Sequence, residues 1–165
     1  MSIEKVKAFF AARGMEDRVR EFSESSATVE LAAKAVGTEP QRIAKSLAFA
    51  ADSGARLIVV AGDTKIDNRK YKERFGAKAK MLSPEETARL TGHAVGGVCP
   101  FALNEGVEVY LDESLKRFST IFPACGSANS AIELSVDELE DCSGFAAWVD
   151  VGKGWRYDRH EGRTS

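Results

Sequence analysis

The sequence predicts an α/β (α+β) protein, a single domain with a mixed, mostly antiparallel central sheet flanked by helices. Three observations lead to this fold class. The chain has 165 residues, 44% of them hydrophobic and 29% charged, which suits one ordinary globular core. Segments with helical spacing alternate with short apolar runs, as in helices packed on a sheet. A short Gly-containing connection between two of those runs predicts a hairpin, so the sheet is not all-parallel.

The predicted helices follow from apolar spacing and from residues that cap helix ends. Ile3, Val6 and Phe10 recur at helical spacing near the start of the chain. SPEE at 83–86 and SVDE at 135–138 each place a serine three residues before a glutamate, the pattern of a capping box. Further helices are expected over Thr28–Val36, in a short turn near Pro40, over the basic segment Asp67–Phe75 and in a short turn over 112–117.

The predicted strands are short apolar runs bounded by turn residues. Two of them, SLAFAA and RLIVVAG, flank the connection DSGA and form the expected hairpin. The strands are expected over 18–22, 46–51, 56–62, 77–82, 107–111 and 119–123. No linker separates a second domain, so we expect one domain over 1–155 followed by a polar tail over 156–165.

The composition restricts the compartment and the kinds of site. The apolar runs fall far short of the roughly 20 residues that span a membrane, and the start of the chain has no signal-peptide pattern. We therefore expect a cytoplasmic protein with no membrane partner. The three cysteines, at 99, 125 and 142, form no CxxC pair, which predicts reduced thiols and no zinc site. With two histidines in the chain, His93 is the one that could pair with Cys99.

A basic segment stands out from a net charge of −2. Seven basic residues and two acidic ones lie between Lys65 and Lys80. Such a run is either a solvated helix face or a patch that attracts a phosphate backbone. The charge pattern leaves both interpretations open.

Three further features could carry chemistry. Lys45 lies where a helical turn meets an apolar strand, and its ammonium would suit an anion there, although it could also extend to solvent. Gly96 to Pro100 form a GxxxP loop whose amides could hold a carbonyl oxygen, or a tight crossover. Gly126, Ser127 and Asn129 form a second polar glycine turn.

The order of these pieces resembles the YbaK/ProX family of prolyl-tRNA-editing-domain-like aminoacyl-tRNA deacylases, over nearly the whole chain. The resemblance is carried by GTEPQRIAKSLAF at 37–49, VVAGD at 59–63, GAKAKMLSPEE at 76–86, TGHAVGGVCPFAL at 91–103 and FSTIFPACGSANSAIELSVDEL at 118–139. It implies a mixed-sheet α/β fold, no metal and no cofactor. It also implies hydrolysis of the ester between an amino acid and the terminal adenosine of a tRNA.

The resemblance assigns roles to individual residues. Lys45 is implied to contact the acceptor end of the tRNA, and the backbone of the loop is implied to orient the scissile carbonyl. The implied catalytic set is Lys45, Gly96, Gly97, Val98, Cys99 and Pro100. The implied substrate-binding residues are Phe22, His93, Gly126, Ser127 and Asn129. The candidate tRNA-binding residues are Lys65, Arg69, Lys70, Lys72 and Arg74.

Four positions depart from the pattern of the cysteinyl-tRNA-directed members. Phe22 and His93 stand where those members carry tyrosine, Cys99 where they carry serine, and Ala102 where they carry glycine. Phe22 lacks the phenol and cannot donate a hydrogen bond. The edited amino acid is therefore open among cysteine, alanine, serine, threonine and other small amino acids.

The leading hypothesis is a trans-editing deacylase that acts on a tRNA mischarged with a small amino acid. The expected partner is the tRNA acceptor end; an aminoacyl-tRNA synthetase partner and the choice between monomer and homodimer stay open. A second hypothesis is a non-catalytic module that binds tRNA or a translation factor. A third makes Cys99 a thiol catalyst or redox sensor.

Overall fold

The computed structural model describes residues 2–156, in which five α-helices and ten β-strands are found. The helices are α1 (Ser2–Ala11), α2 (Val29–Val36), α3 (Asn68–Phe75), α4 (Pro84–Thr91) and α5 (Val136–Ser143). The strands are β1 (Val19–Glu21), β2 (Ile43–Ala51), β3 (Gly54–Ala61), β4 (Lys65–Ile66), β5 (Val107–Asp112), β6 (Thr120–Pro123), β7 (Ser130–Ile132), β8 (Leu134–Ser135), β9 (Ala147–Val149) and β10 (Gly152–Lys153). Short 3-10 helices lie at Glu16–Arg18, Pro40–Arg42 and Glu113–Arg117. Of the tail expected at 156–165, all but Arg156 lies outside the described residues.

The central sheet has six strands in the order β8-β6-β2-β3-β5-β9. β2 and β3 form the predicted antiparallel hairpin, and β8 also runs antiparallel to β6. β6 is parallel to β2, β5 to β3, and β9 to β5. The mixed α/β class is confirmed, whereas "mostly antiparallel" is wrong for this sheet. The connection from β3 to β5 contains α3 and α4, and the longer connection from β5 to β9 ends with α5, so each brings the chain back in the same direction.

Two small ribbons complete the strand pairing: β1 with β7 and β4 with β10, both antiparallel. The strand expected over 77–82 is wrong, because in this segment a single bridge joins Met81 to Phe49. The pairing is short because Gly76 ends α3 just before the segment and Ser83 caps α4 just after it. β2 begins at Ile43, three residues earlier than expected, so Lys45 lies inside the strand.

The helix ends agree with the capping residues seen in the sequence. The Thr28 hydroxyl accepts from the Leu31 amide at 3.2 Å, and α2 ends at Gly37 with φ 77°. Both predicted capping boxes form, at Ser83 with Glu86 and at Ser135 with Glu138. These caps satisfy amides that a helix start leaves without partners. They also fix where α2 and α4 begin, and both starts border the cavity described below.

The central sheet separates two apolar layers. Ala44 and Ala48 belong to a cluster that includes Val6 and Phe10 of α1. On the other face, Phe49 packs against α3, and Ile43 packs against α2. Because successive side chains of a strand point to opposite faces, Lys45 projects towards the side of α2 and α3, and Ser46 towards the opposite side. Within residues 2–156, no helix is long and apolar enough to cross a membrane.

Candidate active site

A cavity of about 400 Å³ lies beside the middle of β2. Its walls come from residues 26–32, residues 43–48, residues 81–87 and the loop at 95–98. Phe122, Ala124 and Ala131 complete the lining. Most of the lining is aliphatic, with hydroxyls from serine and threonine and the single charge of Lys45. A mostly apolar cavity with a few polar groups is the usual form of a small-ligand site.

Lys45 contributes the one charged side chain of this lining. It is half-buried in β2, and its Nζ donates to the carbonyl of Gly62 at 3.4 Å. Burial lowers the pKa of the ammonium, and the carboxylates of Asp63 and Glu30 act in the opposite direction. Among the described residues no carboxylate lies within 4.0 Å of this Nζ. The ammonium is therefore available to an incoming anion.

Asp63 is itself held by another partner. Its two carboxylate oxygens accept from the Arg117 guanidinium at 2.6 and 2.9 Å, a bidentate pair. This pair anchors the turn after β3 that also carries the Gly62 carbonyl. Because Asp63 is held by Arg117, it forms no ion pair with Lys45. Its carboxylate acts on the Lys45 ammonium only through a longer-range electrostatic attraction.

The GxxxP loop reaches the cavity through two of its residues. Gly96 and Val98 border the cavity, whereas Gly97, Cys99 and Pro100 do not. Gly96 has a φ of 98°, a conformation suited to glycine. The Gly97 amide donates to the carbonyl of Ala94 at 2.9 Å, which closes a turn. A Cβ at Gly97 would lie 2.5 Å from the Ser127 nitrogen and 2.6 Å from the Gly126 carbonyl carbon. Gly97 therefore packs the loop onto the second glycine turn.

The predicted substrate-binding residues lie behind this loop and outside the cavity lining. The Asn129 side-chain amide donates to the Phe22 carbonyl at 2.8 Å, and the Phe22 amide donates to the Asn129 carbonyl at 2.8 Å. The Ser127 hydroxyl donates to the Asn129 side chain at 2.9 Å. Gly126 is buried against Ser2. In this arrangement Phe22, Gly126, Ser127 and Asn129 support the loop.

His93 and Cys99 are both fully buried. His93 Nε2 lies 2.7 Å from the Phe101 carbonyl and 3.5 Å from Cys99 Sγ. Because a carbonyl can only accept, Nε2 carries the proton, and Nδ1 is left to accept from the Ser2 hydroxyl. The structure brings together the Cys/His pair that the sequence left open, but His93 cannot take a proton from Cys99 through a protonated Nε2.

The environment of Cys99 opposes its ionisation. Burial raises the pKa of its thiol to about 12, so the thiol stays protonated near neutral pH. Although the resemblance places Cys99 in the implied catalytic set, Cys99 does not line the cavity, and its side chain belongs to the apolar cluster under α1. Burial also lowers the pKa of His93. Both groups therefore stay neutral inside the core.

We predict that Cys99→Ala retains the deacylation that the resemblance implies, within about twofold of wild type. The substitution lowers the free energy of unfolding by about 1 kcal/mol, because it removes one buried heavy atom from a packed cluster. Rates on a charged tRNA and urea denaturation measure the two effects. A loss of activity beyond that explained by unfolding would restore the thiol-catalyst hypothesis.

Ala102, one of the four departures from the family pattern, has an unusual backbone conformation. Its φ of 51° makes it the one non-glycine residue with positive φ among those described. L-residues are disfavoured in this conformation by about 1–2 kcal/mol, whereas glycine adopts it readily. The position therefore favours the glycine that the resemblance led us to expect.

We predict that Ala102→Gly raises the free energy of unfolding by about 0.5–1 kcal/mol, the relief of this strain less the added entropy of the unfolded chain. Urea denaturation checks the sign. Ala8→Gly is the matched control: Ala8 is exposed inside α1, and glycine there lowers stability by about 1 kcal/mol. Destabilisation by both substitutions would contradict the prediction.

The basic segment forms α3 and its flanks, on the face of the sheet towards which Lys45 projects. Lys70 Nζ is 3.3 Å from Asp150 and 3.0 Å from the Gly152 carbonyl. Arg69 pairs with Glu73 at 3.6 Å. The Arg74 guanidinium lies over the Phe75 and Tyr110 rings. Three of the five candidate tRNA-binding residues thus already have contacts within the protein; the other two, Lys65 and Lys72, are exposed.

Sequence reasoning missed several residues of the cavity. The sequence places Thr28 at the start of one predicted helix and Ser83 in a capping box, and the cavity borders the starts of both helices. Ser46 lay unnoticed inside an apolar strand. Met81 and Val95 are 61% and 60% exposed at the rim, and an exposed large apolar side chain has no signature in a single sequence. In residues 2–156 no three His, Cys, Asp or Glu side chains are grouped to hold a metal ion.

Comparison with known proteins identifies the family of this chain. A family model described as the aminoacyl-tRNA editing domain matches residues 23–142. The chain belongs to the aminoacyl-tRNA editing domain family. The matched residues include Lys45, the GxxxP loop and the second glycine turn. Membership in this family indicates a role in tRNA editing.

Two individual relatives show how far the similarity extends. The uncharacterized protein YwhH of Bacillus subtilis (strain 168) is 54% identical over 156 residues, covering 94% of this chain and 99% of YwhH. The proline–tRNA ligase of Geobacillus sp. (strain WCH70) is 30% identical over 101 residues, 61% of this chain and 18% of the ligase. This editing-domain protein thus corresponds to less than a fifth of that ligase.

Solved structures share the whole fold. The crystal structure of a candidate trans-editing enzyme for prolyl-tRNA synthetase superposes with a TM-score of 0.82 at 33% identity, covering 93% of this chain and 98% of that one. The hypothetical protein APE2540 superposes with a TM-score of 0.79 at 29% identity, covering 90% and 99%. The predicted class of fold is therefore confirmed for this editing-domain protein.

Proposed function

We propose that this protein is a trans-editing aminoacyl-tRNA deacylase, a hydrolase that cleaves the ester of a tRNA mischarged with a small amino acid. One observation carries the proposal: in a chain of the editing-domain family, Lys45 and Gly96 line the same cavity. Family membership supports tRNA editing in general, and the size and lining of the cavity support a small amino acid as the edited group.

The chemistry that this site has to supply is modest. An aminoacyl ester is already activated, so positioning and stabilisation of the developing oxyanion can account for most of the rate. The Lys45 ammonium, unpaired with carboxylate, would bind the anionic acceptor end of the tRNA. The backbone at Gly96 and Val98 would hold the carbonyl, and water would attack it with the help of the ribose hydroxyl. No thiol or imidazole is required.

The size and lining of the cavity favour a small amino acid. About 400 Å³ has to hold the aminoacyl group and part of the terminal ribose. The aliphatic walls suit a short side chain and offer no carboxylate to a basic one. The candidates are alanine, serine, threonine and cysteine.

The proposal includes partners and a compartment. The tRNA acceptor end would enter over Lys45, with the exposed Lys65 and Lys72 as candidate backbone contacts, and this binding would weaken as salt is raised. Action in trans is supported by similarity to the candidate trans-editing enzyme for prolyl-tRNA synthetase. Such a protein would work in the cytoplasm on the product of a synthetase.

The test is deacylation of a panel of tRNAs mischarged with alanine, serine, threonine, cysteine and, as a large reference, phenylalanine. We expect hydrolysis of at least one small aminoacyl ester well above the buffer rate and none of the phenylalanyl ester. Salt-sensitive tRNA binding without turnover of any ester would instead favour a non-catalytic tRNA-binding module and would overturn the deacylase proposal.

A further inference from the structure

The hydroxyl of Ser46 is buried and has no hydrogen-bond partner among the described residues. Ser46 lines the cavity beside β2. The buried hydroxyl of Ser143 also has no hydrogen-bond partner in the described part of the chain, but Ser143 does not border that cavity. A buried hydroxyl without a partner is costly. Because Ser46 forms part of the cavity wall, a ligand bound there could supply the missing partner.

The backbone of β2 is also unpaired at this point. β6 pairs with Ile43 and Ala44, and its register ends at Pro123. Further along, the Ala48 carbonyl accepts from the Leu82 amide and the Ala50 amide donates to the Lys80 carbonyl. Between these two contacts, the outer edge of β2 is open to the cavity.

Ser46 presents its backbone to that opening. In an antiparallel strand the N–H and C=O of one residue point to the same side, and the side alternates along the strand. Ala48 and Ala50 point away from β3, so Ser46 does as well. Continuing the register of the Met81 bridge would place Pro84 opposite Ser46, and proline has no N–H to donate. Within residues 2–156 the N–H and C=O of Ser46 therefore have no strand partner, and its hydroxyl has no hydrogen-bond partner.

We propose that Ser46 binds the main-chain part of the aminoacyl group. Its carbonyl and hydroxyl accept from the α-ammonium, and its N–H donates to the acyl carbonyl. The α-ammonium and carbonyl of an amino acid are the main-chain groups of one residue, so they match the edge of a strand, as in peptide recognition by strand addition. The cavity lining holds no Asp or Glu to take the ammonium. This inference rests on the proposed function and makes the free amino group a recognised feature of the substrate.

The test uses a stable analogue in place of the ester. Binding of 3′-alanylamino-3′-deoxyadenosine and of its N-acetyl derivative is measured by calorimetry to wild type, Ser46→Ala and Ser46→Thr. We expect wild type to prefer the free amine at least tenfold. Ser46→Ala should lose about tenfold in affinity for the free amine and little for the acetylated compound, the effect of one hydrogen bond to a charged group. Ser46→Thr should recover most of the loss.

Two controls separate recognition from folding. Ser143→Ala removes another unpartnered buried hydroxyl, outside this cavity, and should bind both compounds like wild type. The melting temperature of Ser46→Ala should equal or exceed that of wild type, because the substitution removes an unsatisfied polar group. A purely structural role for Ser46 would instead lower stability and leave the preference for the free amine unchanged.

The outcomes distinguish this inference from the proposed function. If Ser46→Ala binds both compounds as wild type does, or if wild type binds neither, the inference is overturned. If wild type hydrolyses no mischarged tRNA and still shows a Ser46-dependent preference for the free amine, the deacylase proposal fails while the inference stands.

Discussion

Lys45→Met is expected to lower the rate of deacylation about 100-fold, the usual effect of removing one positioned charge or donor from an active site. Methionine keeps an unbranched apolar stem in β2 and removes the ammonium. Because burial already lowers the pKa of Lys45, the free protein loses little when the charge is removed. We therefore expect stability to be unchanged or slightly raised. Single-turnover rates on the preferred mischarged tRNA, with urea denaturation alongside, measure both.

The matched control for Lys45 is Lys34→Met. Lys34 is exposed in the last turn of α2, away from the cavity lining, so the same change of charge should leave the rate within about twofold of wild type, as expected for a distant surface residue. Equal rates for Lys45→Met and wild type would remove Lys45 from the mechanism. A parallel loss in both variants would point to the overall charge of the protein instead.

Gly97→Ala is the second substitution with a large expected effect. The new methyl group would meet backbone atoms of Gly126 and Ser127, and backbone cannot move aside as a flexible side chain can. We expect the free energy of unfolding to fall by about 3 kcal/mol. Deacylation should fall at least about 100-fold, because a loop displaced by about 1 Å misplaces Gly96 and Val98. Urea denaturation and single-turnover kinetics at a temperature where the variant stays folded check these values.

Gly14→Ala serves as its control. Gly14 has a φ of 71°, and no atom lies within 4 Å of the position that an added methyl group would take. Alanine there therefore costs only the strain of that conformation, about 1 kcal/mol. Its activity should match wild type. If Gly97→Ala is no worse than Gly14→Ala, the close contact between the two glycine turns does not hold the loop.

Much of the fold could be predicted from local signals. The caps at Thr28, Ser83 and Ser135 are determined by residues within one turn of helix. The β2–β3 hairpin follows from two apolar runs joined by a short turn. The strand expected over 77–82 was wrong, because whether an apolar segment forms a strand depends on the elements around it. Here α3 ends at Gly76 and α4 begins after Ser83, which leaves room for a single bridge.

The site was predictable only in part. Lys45 stands out in the sequence as a charge beside an apolar strand, and Gly96 as the first glycine of the GxxxP loop. Both line the cavity. Phe22, His93 and Asn129 stand out as well, yet they lie outside its lining. The cavity itself exists because β6 separates from β2 after Ala44, a long-range event with no local sequence signal. Ser46 could not be identified until that gap was visible.

The arrangement of the cavity walls has a consequence for folding. The walls extend from Ser26 to Ala131 along the sequence, and the hydroxyl of Ser2 meets His93 behind the loop. Contacts between such distant segments form slowly, because the chain loses the entropy of loop closure before these contacts can stabilise it. A nascent chain that has not yet reached residue 131 would lack one wall. The ability to bind a ligand should therefore arise together with global folding, late in synthesis, and not in any early folded segment.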